Sequence, residues 1–554
     1  MIDVAGAWYE RAAYTLFGIA LAASAATLLH LQADISFVLD EWDFLLARRD
    51  FDAAALLDPH NEHISVLPVL VYKALLSAFG MDSPLPFQVA QVFAALIAAA
   101  LLFVYVRRRV GAWGALAAVI PILFLGASWA NLLSAFQVAF FGATACGLGA
   151  VLLFERADRR ADPIVCTLLV LAVLWQSLGL AFVAGVAAAV VLGRDRLARA
   201  YVALVPAAVY LAWWLGWGHQ ADSQFTLENL ISSPLYVFDG FAASISSLLG
   251  FVGGGPEADL VTYGRPLLVI AIVVAALRVR RIGGIPRGLV IAVAIAVVFW
   301  FLAALNETYA RPASNGRYQY PGAFFLVMIA AELVRGVRFQ RRWLAVALAV
   351  ALAAAVSGFA NLRRNSDLLA SVSERGRAGL AALEITRDTV DPAFLLTTEN
   401  SDVVYFDLVA AGPYLSAVDE FGSPAFSERE LVEAAEQARV AADKATAAAL
   451  ELRLRPLDPE QLRHCRRLAV GAPTTLPAAG LALAADRGDA TIRLRRFATQ
   501  SFAVDLGLLP AGAVAQLSIP SDRSSRAWEL EAAGTAGVLV CEHPPLVNPP
   551  PDSE

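Results

Sequence analysis

Apolar residues fall in long blocks separated by short charged ones. The blocks run near 12–31, 85–106, 112–128, 134–154, 163–177, 179–193, 199–217, 263–279, 287–305, 319–336 and 343–360. Each approaches the roughly 20 residues that a helix needs to cross a bilayer. The segments between them alternate in character. Arg107–Arg109, Arg156–Arg160, Arg194–Arg199, Arg278–Arg287 and Arg335–Arg342 are basic. The positive-inside rule puts these five on the cytoplasmic side. The intervening segments, 32–84, 129–133, the turn at Trp175–Gly179, 218–262 and 306–318, then face out, as does everything after 360. Ile64–Gly80 is apolar enough to be a further span, but a crossing there would invert every later basic loop. It therefore reads as an interfacial helix, and Phe44–Leu57 as a short amphipathic one. The pattern predicts 11 spans, with the N-terminus inside and the C-terminus outside. The acidic flank of the first span, Asp3 and Glu10, favours an uncleaved anchor over a signal peptide.

After Ala360 the periodicity changes. Asn361–Leu383 reads as a helix leaving the membrane, and Phe394–Tyr405 as a strand. Ser427–Leu454 reads as a helix, with Ser427 and Glu430 spaced as a capping box. Short alternating runs at Ile492–Phe497, Phe502–Leu506, Val514–Ile519, Ala527–Leu530 and Val538–Cys541 suggest a small β-sandwich. The Pro-rich segment 544–554 predicts disorder. The fold class is a polytopic α-helical membrane protein, residues 1–360, carrying an extracytoplasmic α+β domain at 361–543.

Composition agrees. The 554 residues are 58% apolar and 17% charged, with a mean hydropathy of +0.61; a soluble domain is about half apolar and a quarter charged. The net charge of −6 is segregated along the chain and says little about partners. No basic stripe is interleaved with aromatics, so nucleic acid is not an expected partner. Cys146 and Cys166 sit in apolar helices, while Cys465 and Cys541 lie in the tail and can pair if it faces an oxidising compartment.

Three polar constellations stand out, all on the predicted outer side. The first is Asp40-Glu41-Trp42-Asp43, at the end of the apolar run Ile35–Leu39. From Asp34 to His63 there are eight carboxylates against two arginines, Arg48 and Arg49. Carboxylates beside an apolar wall can serve as general bases. Trp42 suits an interfacial anchor or a platform for a sugar face, and Asp50 and Asp52 read as solvated. The second is His60-Asn61-Glu62-His63. On a helix the two histidines share a face, which suits a substrate contact; Asp58 or Asn61 could equally cap the next helix. A metal held by Asp40, His60 and His63 is the less favoured reading, since no metal-type spacing accompanies them. The third is the late loop with Arg311, Arg317, Tyr318 and Tyr320, where outward-facing guanidiniums call for an anion such as phosphate. Trp129, Asn131, Gln137, Trp175, Gln176 and Ser177 would line a cavity at the same side. The 218–262 segment, with His219, Asp222, Tyr236, Asp239 and Gly253–Gly255, is long enough for a mobile lid.

Residues 1–360 thereby resemble the GT-C superfamily of integral-membrane glycosyltransferases, on the paired acids Asp40-Glu41, the motif His60–His63 and the element Arg317-Tyr318. The resemblance implies a polyprenyl-phosphate sugar donor and a hydroxyl acceptor on a glycan, lipid or protein. Asp40 and Glu41 would be catalytic. Trp42, Asp43, His60, Asn61, Glu62, His63, Arg311, Arg317, Tyr318 and Tyr320 would bind substrate. Direct displacement would invert the anomeric centre. No cofactor is required, and a divalent metal is compatible; the absence of an Asp-x-Asp departs from the metal-dependent pattern. The expected location is a bacterial cytoplasmic membrane. A flippase of lipid-linked glycans, or a glycan polymerase or ligase, is the alternative.

Overall fold

The computed structural model describes residues 4–156, 158–251, 258–337, 339–402, 408–458, 462–477, 481–486, 488–534 and 537–542. The glycine run Gly253–Gly255 and the Pro-rich segment 544–554 lie outside the described residues. The chain divides into two compact units, Met1–Ala33, Arg48–Leu75 and Leu85–Leu368 in one, Asp34–Ala47, Leu76–Pro84 and Leu369–Glu554 in the other. Segment 32–84 is thus shared between the units, where the sequence pattern keeps it whole within 1–360.

The first unit is helical. Among the described residues seven helices are long and apolar enough to cross a membrane: Tyr9–Leu31, Leu85–Leu123, Ala135–Phe154, Arg196–Gly216, Leu260–Ile282, Arg287–Ala304 and Arg341–Ile385. The protein is therefore a helical membrane protein. The predicted blocks 85–106 and 112–128 run into one another through Gly111, whose φ of 81° and ψ of 172° interrupt the helix; a residue with a Cβ would be strained there. The blocks at 163–177 and 179–193 form helices Asp162–Trp175 and Gly179–Val191, of 14 and 13 residues, short for an upright crossing. Close packing joins neighbours: a Cβ at Gly142 would lie 2.3 Å from the Trp175 ring.

The five basic segments meet at one end of this unit. Arg109 bonds Glu155 and Glu332, and Tyr105 donates to Glu332 at 3.1 Å. Arg159 pairs with Asp195 at 2.6 Å, and Arg199 reaches Asp162 at 2.8 Å. Arg287 donates to the Ala189 carbonyl, and Arg278 to that of Leu333 at 3.0 Å. Segments 126–137, 213–229 and 305–317, with the 57–63 turn, gather at the other. Trp213 donates to Leu57 O at 2.7 Å, Asn229 to Glu307 O at 3.1 Å, and Ser128 to Gly316 O at 3.4 Å. The charge alternation in the sequence is thus realised as two chemically distinct ends.

Two local expectations change. Phe44–Leu57 is not one helix: a π-helical turn, Asp43–Ala47, stops before a short helix, Ala53–Leu57. Asp52 is exposed, in line with the solvated reading, and also serves as the N-cap of that helix, accepting from Ala55 N at 2.7 Å. Segment 218–262, expected as a long loop, is largely helical: 22 of its residues form helix Leu227–Leu248. It buries the small and polar face Ser233, Tyr236, Gly240, Ala243, Ser244 and Ser247.

The second unit has a helical part and a β-sandwich. Helices Glu428–Glu433 and Glu436–Ala449 pack with the end of Arg341–Ile385 around Ala378, Ala381, Leu431, Ala438 and Ala442. The capping box of Ser427 and Glu430 forms, but the predicted long helix breaks at Ala434-Ala435. The strand expected at Phe394–Tyr405 is reduced to a bridge, Leu395 to Ala410, followed by the helical turn Thr398–Ser401; residues 403–407 are not described.

The strands are β1 (Leu454–Pro456), β2 (Arg463–Leu468), β3 (Thr474–Thr475), β4 (Leu481–Ala485), β5 (Ala490–Arg495), β6 (Val504–Leu509), β7 (Val514–Leu517), β8 (Glu529–Gly534) and β9 (Val538–Glu542). They form two antiparallel sheets, β1-β7-β4-β9-β2 and β3-β8-β5-β6. One core unites them, with Leu481, Leu483, Leu517 and Val540 facing Ile492, Leu494, Trp528 and Leu530. Cys465 and Cys541 are disulfide-bonded across β2 and β9. Asp443 fastens the helical part to the sandwich by accepting from the amides of Arg496, Phe497 and Ala498 at 2.8–3.0 Å.

Candidate functional site

The polar end of the first unit carries the site. Its first piece is a tight turn. His60 and His63 exchange backbone hydrogen bonds, each 3.0 Å, across Asn61 and Glu62. Asn61 takes a φ of 52°, a left-handed conformation that asparagine tolerates. The histidines therefore face each other across a turn rather than sharing a helix face. Arg48 is buried beneath the turn and donates to Asp58 O at 2.8 Å and Pro59 O at 3.1 Å. The His60 ring packs on Phe136 with centroids 5.0 Å apart.

The second piece is the late loop. Arg311 bonds Glu62 at 2.7 Å, tying segment 32–84 to segment 306–318. The sequence had both residues as binding candidates but gave no reason to pair them. Tyr236 donates to Arg311 O at 3.1 Å. Asn315 caps helix Gly316–Leu333 through the Arg317 amide at 3.1 Å. Tyr318 lies edge-on to Phe299 and Trp300, and Tyr320 edge-on to Phe141. Tyr320 is fully enclosed, so it shapes the wall instead of offering its hydroxyl to the surface.

Arg317 differs from its neighbour. It is half-buried, and among the described residues no carboxylate or carbonyl takes its guanidinium. Its charge is felt at His63, together with that of Arg311. Burial pushes the His63 imidazole down to about 4; His60 and both arginines push the same way, and Glu62 opposes them. His63 is thus neutral at neutral pH, and its buried Nδ1 has no hydrogen-bond partner among the described residues. Burial raises the Glu307 carboxyl in the same loop.

Other buried polar atoms of this unit also have no hydrogen-bond partner among the described residues: Asn131 Oδ1, Gln176 Oε1 and Trp300 Nε1. Buried polar groups are ordinarily hydrogen-bonded, so atoms of this kind mark a place for water or a ligand. Asn131 donates to Gln137 Oε1 at 3.0 Å. Tyr236 and Trp300 are the contributors that sequence reasoning underweighted. The small-residue periodicity of Leu227–Leu248 was the signal for the first.

Asp40, Glu41, Trp42 and Asp43 belong to the second unit. Glu41 is buried and accepts from Val38 N at 2.9 Å, closing a turn in which Leu39 has a φ of 54°. Trp42 is fully buried between Phe37 and Tyr414, so it is a core side chain and not an interfacial anchor or sugar platform. Asp43 opens the π-helical turn. Asp40 is the partly exposed member of the acidic pair. Among the described residues no group of three His, Cys, Asp or Glu side chains is arranged to hold a metal ion.

Comparison of the chain with protein-family models, curated proteins and solved structures finds no match.

Proposed function

We propose that this protein is a membrane glycosyltransferase that moves a sugar from a polyprenyl-phosphate donor to a hydroxyl acceptor, with inversion. The observation that carries this reading is Arg317. It is a half-buried guanidinium that no carboxylate takes among the described residues, set beside the Arg311–Glu62 pair at the end opposite the basic segments. Such a group takes a phosphate oxygen by charge-assisted hydrogen bonds. In the proposed step the acceptor oxygen attacks the anomeric carbon while the bond to the phosphate oxygen breaks. The lipid phosphate leaves with the electron pair, and a carboxylate base takes the hydroxyl proton, the part that the sequence resemblance gives to Asp40 or Glu41. Glu41 accepts from Val38 N in the acidic turn. The topology that suits this chemistry has 11 spans in a bacterial cytoplasmic membrane, N-terminus inside and C-terminal domain outside. The gathering of the five basic segments at one end supports it.

The test uses purified protein in liposomes with radiolabelled polyprenyl-phosphate sugar. Wild type consumes the label, and Arg317→Gln lowers the rate by roughly 10²-fold, the scale of one lost charge-stabilising group. Equal consumption by the two proteins would sink the reading.

A second reading, a flippase of lipid-linked glycans, is favoured by one observation. Arg109, Glu155 and Glu332 close the basic end with buried ion pairs, as an inner gate would. Under that reading the label changes leaflet without being consumed.

A further inference from the structure

Helix Arg341–Ile385 holds four arginines beyond its apolar half, and with Arg387 just past its end they divide sharply. Arg375 donates to Ser371 O, Arg377 to Pro424 O, and Arg387 to Asp419. Arg363 and Arg364 are exposed, and among the described residues neither has a hydrogen-bond or ion-pair partner. Their placement follows from the helix period. Ala351, Ala355, Gly358, Leu362 and Ser366 form the buried stripe. Leu352, Val356 and Phe359 form the exposed one, and Arg363 continues it one turn further. An exposed apolar stripe on a membrane span faces lipid, so Arg363 stands where that stripe leaves the hydrocarbon.

The depth is fixed by the neighbours. Ser357 donates to Gly250 O at 2.7 Å, Asn361 to Gly126 O at 2.8 Å, and Ser366 to Leu31 O at 2.5 Å. Leu31 and Gly126 both lie toward the polar end of the first unit, at the last residue of helix Val4–Leu31 and just past helix Leu85–Leu123. Two cations are therefore held on the lipid-facing side at headgroup level, at the end of the unit remote from the five basic segments.

We propose that Arg363 and Arg364 form a binding site for the phosphate of an anionic phospholipid. Guanidiniums at this depth draw anionic headgroups from the surrounding leaflet, and a fork of N–H donors matches a phosphate better than an ammonium does. The proposal does not depend on the transfer reaction.

The protein is equilibrated with mixed phosphatidylcholine and phosphatidylglycerol in nanodiscs, and retained lipid is counted by native mass spectrometry. Wild type is expected to enrich phosphatidylglycerol, and R363Q/R364Q to lose roughly tenfold of the tightest-held fraction. R363K/R364K keeps the charge and should restore most of it, which separates a lost site from a misfolded variant. Equal retention by wild type and the glutamine variant overturns the proposal. So does displacement of phosphatidylglycerol by substoichiometric polyprenyl phosphate, which would make the pair part of a donor path instead.

Discussion

At the residue scale, the chemistry concentrates in a few side chains whose environments differ although their sequence contexts look alike. His60 and His63 are three positions apart, yet one ring packs on Phe136 and the other has a buried Nδ1 with no hydrogen-bond partner among the described residues. The folded imidazole of His63 titrates near 4, below the 6.5 of an unperturbed histidine. Between those values the unfolded chain binds more protons than the folded one. The contribution is therefore complete above about pH 6.5 and is lost as pH falls toward 4. Thermal midpoints in detergent should fall more steeply across that window for wild type than for His63→Asn. Parallel slopes would show that His63 is not the group responsible. The residue types were legible in the sequence; their pairing was not. Glu62 and Arg311 are 249 positions apart, and no local pattern specifies such a contact.

At the element scale, the apolar blocks and the β-strand alternation were the clearest signals, because burial on one face imposes a period. Five strands between 490 and 542 fall within a few residues of their expected positions. β1 to β4 were not read: β4 is buried on both faces, Leu481–Ala485, so it shows no alternation. β2 is an edge strand of arginines around His464, whose φ is 48°. Helix Glu436–Ala449 is anchored through Asp443, a buried carboxylate bound to three amides. Asp443→Ala strands those donors and should cost about 3 kcal/mol or more, at about 1–3 kcal/mol for each unsatisfied buried group. Asp443→Asn retains one acceptor oxygen and should fall between. Urea unfolding, followed by the fluorescence of buried Trp528, measures both; no change for the alanine variant would rule out the clasp.

At the scale of the whole molecule, charge segregation along the chain becomes polarity of the first unit. The ion pairs of Arg109 with Glu155 and Glu332 join helices that begin at Leu85, Val138 and Gly316. Removing one partner of a buried pair leaves an uncompensated charge, at about 3–5 kcal/mol. Glu332→Ala should therefore lower the unfolding midpoint strongly in detergent, and Glu332→Gln, which keeps a hydrogen-bond acceptor, less so. If both variants melt like wild type, these contacts do not hold the basic end together. The two-unit division was the part of the architecture least visible in the sequence. The apolar residues of 34–47 look like the edge of a membrane segment, and only the burial of Trp42 against Phe37 and Tyr414 shows that they serve another core.

That arrangement constrains the order of biosynthesis. Segments 34–47 and 76–84 leave the ribosome early, but their partners, Tyr414 for Trp42, Phe421 for Met81 and Ser423 for Asp82, follow more than 300 residues later. Until then the early strips wait with apolar surface uncovered, the kind of interval in which multidomain chains misassemble. A truncated chain starting at residue 361 would lack those strips altogether, and its Tyr414 face would be bare. Fragments of the second unit should be cut with that in mind, the early segments supplied in trans or spliced back by a linker.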